Sequence, residues 1–132
     1  MHGKNILLIM TDQQRADTLS CNDSHGLCRT PHLDELASES VVFENAYTSS
    51  AVCSPARASL QTGQQPSRHG IESNTRCPGC RVHDLPDSPH LLSKRLSDAG
   101  YNCGYTGKWH LGFERSGNDA DTAPFPSWYS KA

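Results

Sequence analysis

NILLIM, Asn5 to Met10, is an unbroken aliphatic run that turns polar at once in Thr11-Asp12-Gln13-Gln14. A half-exposed strand would alternate apolar and polar residues. A short continuous run predicts instead a strand buried on both faces, as in a parallel sheet. The run is too short to span a membrane or to form the core of a secretory leader. Thr11 to Arg15 does not offer a leader cleavage site, so a cytoplasmic location is expected.

Working outward, Thr30-Pro31 predicts a helix start, with Thr30 as N-cap and Pro31 in the first turn. Leu33, Leu36 and Ala37 follow at helical spacing. VVFENAY, Val41 to Tyr47, reads as a second strand. Ser54-Pro55 opens another helix, and Gly63 stands where a C-terminal cap belongs. Residues 68–89 read as loop, with Pro, Gly, Asn and Asp scattered through them. Ser88-Pro89 starts a further helix that Gly100 ends, and Tyr101 to Thr106 is a third strand. The tail from Phe113 to Ala132 has little periodicity. This β-α-β-α-α-β order predicts an α/β fold with a mainly parallel sheet flanked by helices.

The chain has 132 residues and a formal net charge of −2, so no broad basic field suggests a nucleic-acid or anionic-membrane partner. The hydrophobic fraction of 35% is low for a self-contained globule. Six cysteines are present. Without export they are expected as thiols. Cys77-Pro78-Gly79-Cys80 is a single CxxC, half of a zinc site at most, and reads first as a polar loop.

Open α/β sheets bind ligands beyond the carboxyl ends of their strands. Those ends carry Asp12 and Gln13, then Cys53 with Arg57, then Lys108 and His110. Asp12 and Gln13 are hard oxygen donors suited to Ca²⁺, Mg²⁺ or Mn²⁺, although an Asp after a strand is also an ordinary turn cap. Cys53 falls at the positive end of the Pro55 helix, where backbone N–H groups attract an anion and favour a reactive thiol. Arg57 is four residues on and shares its face. A buried cysteine beside a surface arginine explains that pair equally well. Lys108 and His110 alternate on a strand and so face one side. They suit anion binding and proton transfer, or merely an exposed strand end around a core Trp109.

Cys53-Ser54-Pro55-Ala56-Arg57, continuing to Thr62-Gly63, resembles the Cys-x-Pro-x-Arg motif of the sulfatase family. Gly100-Tyr101 through Gly107-Lys108-Trp109-His110-Leu111-Gly112 is similar to that family's second motif. NILLIMTDQQRAD is similar to its first metal-binding strand, and residues 43–47 and 66–70 also fit. The resemblance spans roughly Lys4 to Gly112. It implies the N-terminal part of an alkaline-phosphatase-like sulfatase fold over residues 1–112, with 113–132 as loop or frayed tail and the rest of the catalytic domain absent.

The resemblance further implies that a maturation enzyme converts Cys53 to formylglycine. Its hydrate attacks the sulfur of a small-molecule sulfate ester, and its second hydroxyl lets sulfate leave. Cys53, Arg57, Lys108 and His110 are then the catalytic residues, with Lys108 and His110 on the substrate. Asp12, Gln13 and residue 53 hold a divalent metal, Ca²⁺ first and Mg²⁺ or Mn²⁺ as alternatives. Gln13 stands where many sulfatases carry a second Asp, a form shared with choline sulfatases and phosphonate monoester hydrolases. A phosphonate or phosphate monoester hydrolase is therefore the second reading, and a non-catalytic truncated or binding module the third. Family members are several times longer and draw further metal ligands from a later segment. Asp119 and Asp121 do not replace those ligands, so this chain alone is expected to be inactive or nearly so.

Overall fold

The computed structural model describes residues 3–23 and 25–112, and the expected tail 113–132, with Asp119 and Asp121, lies outside them. The chain divides into two compact units, Met1–Ala46 and Tyr47–Ala132. No helix of the described residues is long and apolar enough to cross a membrane.

In the first unit, two 3₁₀ turns, Ala16–Thr18 and Ser20–Asn22, precede helix α1, Pro31–Ser38. Pro31 occupies the first turn as its fixed φ and missing N–H allow. Thr30 stands at the N-cap, but its hydroxyl does not cap the helix. It accepts instead from the Ser20 backbone N–H at 2.8 Å, while Ser20 Oγ accepts from the Thr30 N–H at 2.8 Å. Asp34 completes this knot by accepting from Ser20 Oγ at 2.6 Å and from the Cys21 N–H at 2.9 Å. Polar bonds therefore tie the 3₁₀ turns to α1.

This unit lacks an apolar centre: none of its described residues is buried. The expected strand at Asn5–Met10 is not formed, and Leu7 and Ile9 are 84% and 76% exposed. The second expected strand, Val41–Tyr47, is likewise absent, with Val41, Phe43 and Tyr47 exposed. The third, Tyr101–Thr106, does not form either. Among the described residues there is no strand, so the parallel sheet is not built here. The physical reason is specific to such strands. A strand buried on both faces needs a hydrogen-bonding neighbour on each edge and a layer over each face. Covering one aliphatic side chain is worth roughly 1.5–3 kcal/mol, so the Ile6–Met10 run leaves on the order of 10 kcal/mol unrealised.

The second unit holds the core. Helix α2 spans Cys53–Thr62, α3 Pro66–His69 and α4 Leu92–Asp98. Helix α2 packs against both α3 and α4. Ala58, Ile71, Leu85, Leu91, Trp109 and Leu111 are buried together, with Val82, Cys103 and Tyr105 packed against them. The Leu85 N–H donates to the Leu111 carbonyl at 2.7 Å, which ties the loop before α4 to the segment after it.

Helix α2 ends as its sequence predicts, with Gly63 left-handed at φ 66° and its N–H on the Ser59 carbonyl at 2.8 Å. Helix α4 starts at Leu92, later than Ser88-Pro89 suggested, because Ser88 instead closes a turn: its carbonyl accepts from the Leu91 N–H at 3.2 Å. At its other end, the Gly100 N–H reaches Ser97 O at 2.9 Å and the Tyr101 N–H reaches Leu96 O at 3.0 Å. That pair of bonds is a Schellman stop. Helix α3 interrupts what reads as loop, a single turn between Pro66 at its start and left-handed Gly70.

Candidate active site

The site is built on the first turn of α2. Val52 is the N-cap in an extended conformation, and Cys53 is the first helical residue. The Ala56 N–H makes the first intrahelical bond, to Val52 O at 3.1 Å. No side chain caps the helix from the Val52 position. Asn74 takes part of that role from a distant loop, its Oδ1 accepting from the Ser54 N–H at 3.1 Å. The N–H groups of a helix's first turn present partial positive charge. Cys53 sits in that field, half-buried.

Residues 105–111 lie across this turn and are fastened to it. Ser54, fully buried, donates through Oγ to the His110 carbonyl at 2.7 Å and accepts from the Thr75 N–H at 3.4 Å. Arg57, 7% exposed, donates from Nη1 to the Lys108 carbonyl at 2.7 Å. The Tyr105 hydroxyl donates to that same carbonyl at 2.6 Å. Between the two fastened residues, Trp109 is buried in the core and meets the Tyr105 ring edge-on, centroids 5.3 Å apart. Apolar burial of Trp109 thus fixes where Lys108 and His110 emerge.

The outcome is one short approach: Lys108 Nζ lies 3.8 Å from Cys53 Sγ. The residue 53 side chain therefore meets an ammonium group as well as the helix N-terminus, two positive sources that suit an anionic substrate. The structure brings Cys53, Arg57, Lys108 and the His110 backbone together in the second unit. It does so without the strand alternation that the sequence suggested. Segment 107–110 has no strand, and His110 takes φ 50°. Arg57 holds the Lys108 backbone, a positioning role that helical spacing alone did not indicate.

Asp12 and Gln13 belong to the first unit. Gln13 has φ 53°, and among the described residues it and His110 are the only non-glycine residues with positive φ. Such backbone costs of order 1–3 kcal/mol and clusters at functional sites. Both strained positions coincide with candidate site residues. As metal donors, Asp12 and Gln13 fit a hard cation in kind, offering a carboxylate and an amide oxygen, but not in number, since Ca²⁺ takes six to eight oxygens. Among the described residues, no three or more His, Cys, Asp or Glu side chains gather as a metal site.

Several supporting residues were not evident from the sequence. His69 is buried, with Nδ1 accepting from the Ile71 N–H at 3.1 Å and Nε2 3.0 Å from Ser59 Oγ. The Nδ1 contact puts the ring proton on Nε2. Burial pushes its pKa below the ordinary imidazole value, partly offset by a bond to the Pro55 carbonyl. Pro66 and Gly70, framing one helical turn, were the available signal for α3. Asn74 had none, because its partner Ser54 is 20 residues away in sequence, and Tyr105 had none although its partners Lys108 and Trp109 are near neighbours.

The Sulfatase family profile matches residues 4–132. The chain is 38% identical over 111 residues to the uncharacterized sulfatase YidJ of Escherichia coli K12, covering 84% of this chain and 21% of that protein. It is 39% identical over 114 residues to human N-acetylgalactosamine-6-sulfatase, covering 82% of this chain and 22% of the enzyme. The crystal structure of the yidJ protein from Bacteroides fragilis superposes with TM-score 0.68 at 41% identity, over 78% of this chain and 22% of that one. The chain therefore spans about a fifth of the length of the curated relatives it matches. On the family match across nearly its whole length, this chain belongs to the sulfatase family.

Proposed function

We propose that this chain is the nucleophile-bearing, N-terminal portion of a sulfuric ester hydrolase, with Cys53 as the precursor of a formylglycine. The observation that carries the reading is Lys108 Nζ at 3.8 Å from Cys53 Sγ at the N-terminus of α2. The parallel sheet belongs to this proposal: Asn5–Met10, Val41–Tyr47 and Tyr101–Thr106 become strands once neighbouring strands and covering helices are supplied.

In this reading each residue has a physical task. Formylglycine, hydrated, supplies a hydroxyl nucleophile and a second hydroxyl through which sulfate is later released. Lys108 binds a sulfate oxygen and offsets the charge that grows on it. The first-turn N–H groups of α2 add a fixed positive field that needs no reorganisation. Arg57 holds the Lys108 backbone and adds buried positive charge beside residue 53. His110, its carbonyl held by Ser54, orients the nucleophile or moves a proton to the leaving group. Asp12, Gln13 and residue 53 would contribute to holding a divalent cation, Ca²⁺ first, which supplies Lewis acidity toward the sulfate oxygens. The partners are then a small sulfate ester and the formylglycine-generating maturation enzyme.

Paired aryl sulfate and aryl phosphonate esters given to the full-length protein test the substrate class. Preferential turnover of the sulfate supports the reading. Preferential turnover of the phosphonate replaces it with the phosphonate hydrolase reading that Gln13 raises.

A further inference from the structure

The candidate site leaves Cys77-Pro78-Gly79-Cys80 unused. We propose that Cys77 and Cys80 form an intraloop disulfide, a redox modification site beside the first turn of α2. Two successive turns share Cys77: its N–H donates to the Asn74 carbonyl at 3.0 Å, and its own carbonyl accepts from the Cys80 N–H at 3.1 Å. Pro78 has its φ set near −65° by its ring, and Gly79 has φ 85°. Those are the central residues of a type II turn, which holds its first and fourth Cα atoms within about 7 Å. A disulfide spans Cα separations of about 4.4–6.8 Å. The turn therefore brings the two residues into the range of a bridge, which Cys80 would form by rotating its thiol off the Val82 carbonyl.

The two thiols also have distinct settings. Cys77 is exposed, whereas Cys80 is half-buried and donates to the Val82 carbonyl at 2.9 Å. An incoming oxidant meets Cys77 first, and Cys80 is placed to resolve the adduct. The flanking Arg76 and Arg81 are exposed and suit an anionic oxidant. Cys103, by contrast, packs against the core and points its thiol to the Ser93 carbonyl at 3.5 Å. The same loop carries Asn74 and Thr75, whose Oδ1 and N–H hold Ser54, so a bridge stiffens the support beside Cys53. Thiol–disulfide exchange fits better than zinc, because two cysteines are half of a four-ligand set.

The step balances with a low-molecular-weight disulfide such as glutathione disulfide as oxidant. The Cys77 thiolate attacks one of its sulfurs and releases one thiol. The Cys80 thiolate then attacks the Cys77 sulfur of that mixed disulfide and releases the second. Two electrons pass from the cysteines to the oxidant, and their two protons end on the released thiols.

Trypsin cleavage after Arg76 and Arg81 isolates the pair in the peptide Cys77–Arg81. The full chain is equilibrated across a series of glutathione buffers, quenched in acid, alkylated and digested. The expected peptide in oxidising buffers is unalkylated, about 2 Da lighter than the dithiol, and converted to the doubly alkylated form by prior reduction. In Cys80→Ser the expected product is instead a glutathione adduct on Cys77. The proposal is overturned if both cysteines stay alkylated throughout the series. A persistent Cys77 adduct in the unaltered chain, or a link from either cysteine to another one, overturns it equally.

Discussion

Removing one oxygen atom, Ser54→Ala, gives the sharpest test of how the site is held together. Ser54 is fully buried, and its Oγ makes two bonds of unequal quality. The donation to the His110 carbonyl, at 2.7 Å, is short. The acceptance from the Thr75 N–H, at 3.4 Å, is long and contributes little. Alanine restores neither, so the cost is dominated by a carbonyl stripped of its donor, about 1–3 kcal/mol. That is roughly a 5- to 150-fold change in the unfolding equilibrium. The Asn74 bond to the Ser54 backbone survives the change, so α2 still starts at Cys53. Urea unfolding of the full-length protein reads the effect as a lower midpoint with unchanged slope. Exposed Ser67→Ala, on α3, serves as control and should stay within about 0.5 kcal/mol. A Ser54→Ala loss no larger than that of the control refutes the claim that Ser54 fastens residues 105–111 to α2.

Three further outcomes follow from the same geometry. Lys108→Ala should lower aryl sulfate turnover by about 10²–10³-fold, the usual loss when one charge-stabilising group is removed, with the urea midpoint little changed. Gly70→Ala should cost more than Gly63→Ala: both force a left-handed alanine, about 1–2 kcal/mol, but only at Gly70 does the new Cβ fall 3.1 Å from Val82 Cγ2. Equal midpoints for the two variants contradict the close approach. Stability should also fall with acid through His69. Its folded pKa lies below the ordinary value of 6.5, so between the two the unfolded chain binds more protons. The contribution is present above about pH 6.5 and is lost as pH falls through the lower folded pKa. His69→Gln should flatten that part of the midpoint-versus-pH curve, and an unaltered curve counts against it.

The helices were legible because their signals are local. Pro31 and Pro55 mark first turns, and Gly63 and Gly100 provide left-handed ends without a Cβ penalty. The strand readings are not realised among the described residues because a strand's stability is not local: Ile6–Met10 has the right residues but no strand to pair with there. Within the site, helical spacing located Cys53 and Arg57. It did not show that Arg57 would reach the Lys108 carbonyl, 51 residues further along the chain. Lys108 and Cys53 do meet, held by Trp109 burial and the two fastening bonds from Ser54 and Arg57 rather than by strand alternation.

The mass of residue 53 tests the central claim most directly. Trypsin cleavage after Arg29 and Arg57 yields the peptide Thr30–Arg57, in which Cys53 is the sole cysteine. In a host that supplies the maturation enzyme, the predicted peptide is about 18 Da lighter than the thiol form, as expected when a thiol becomes an aldehyde rather than climbing the usual oxidation ladder. An unmodified thiol throughout, in a host shown to convert a known sulfatase, would contradict the assignment of Cys53 as a formylglycine precursor.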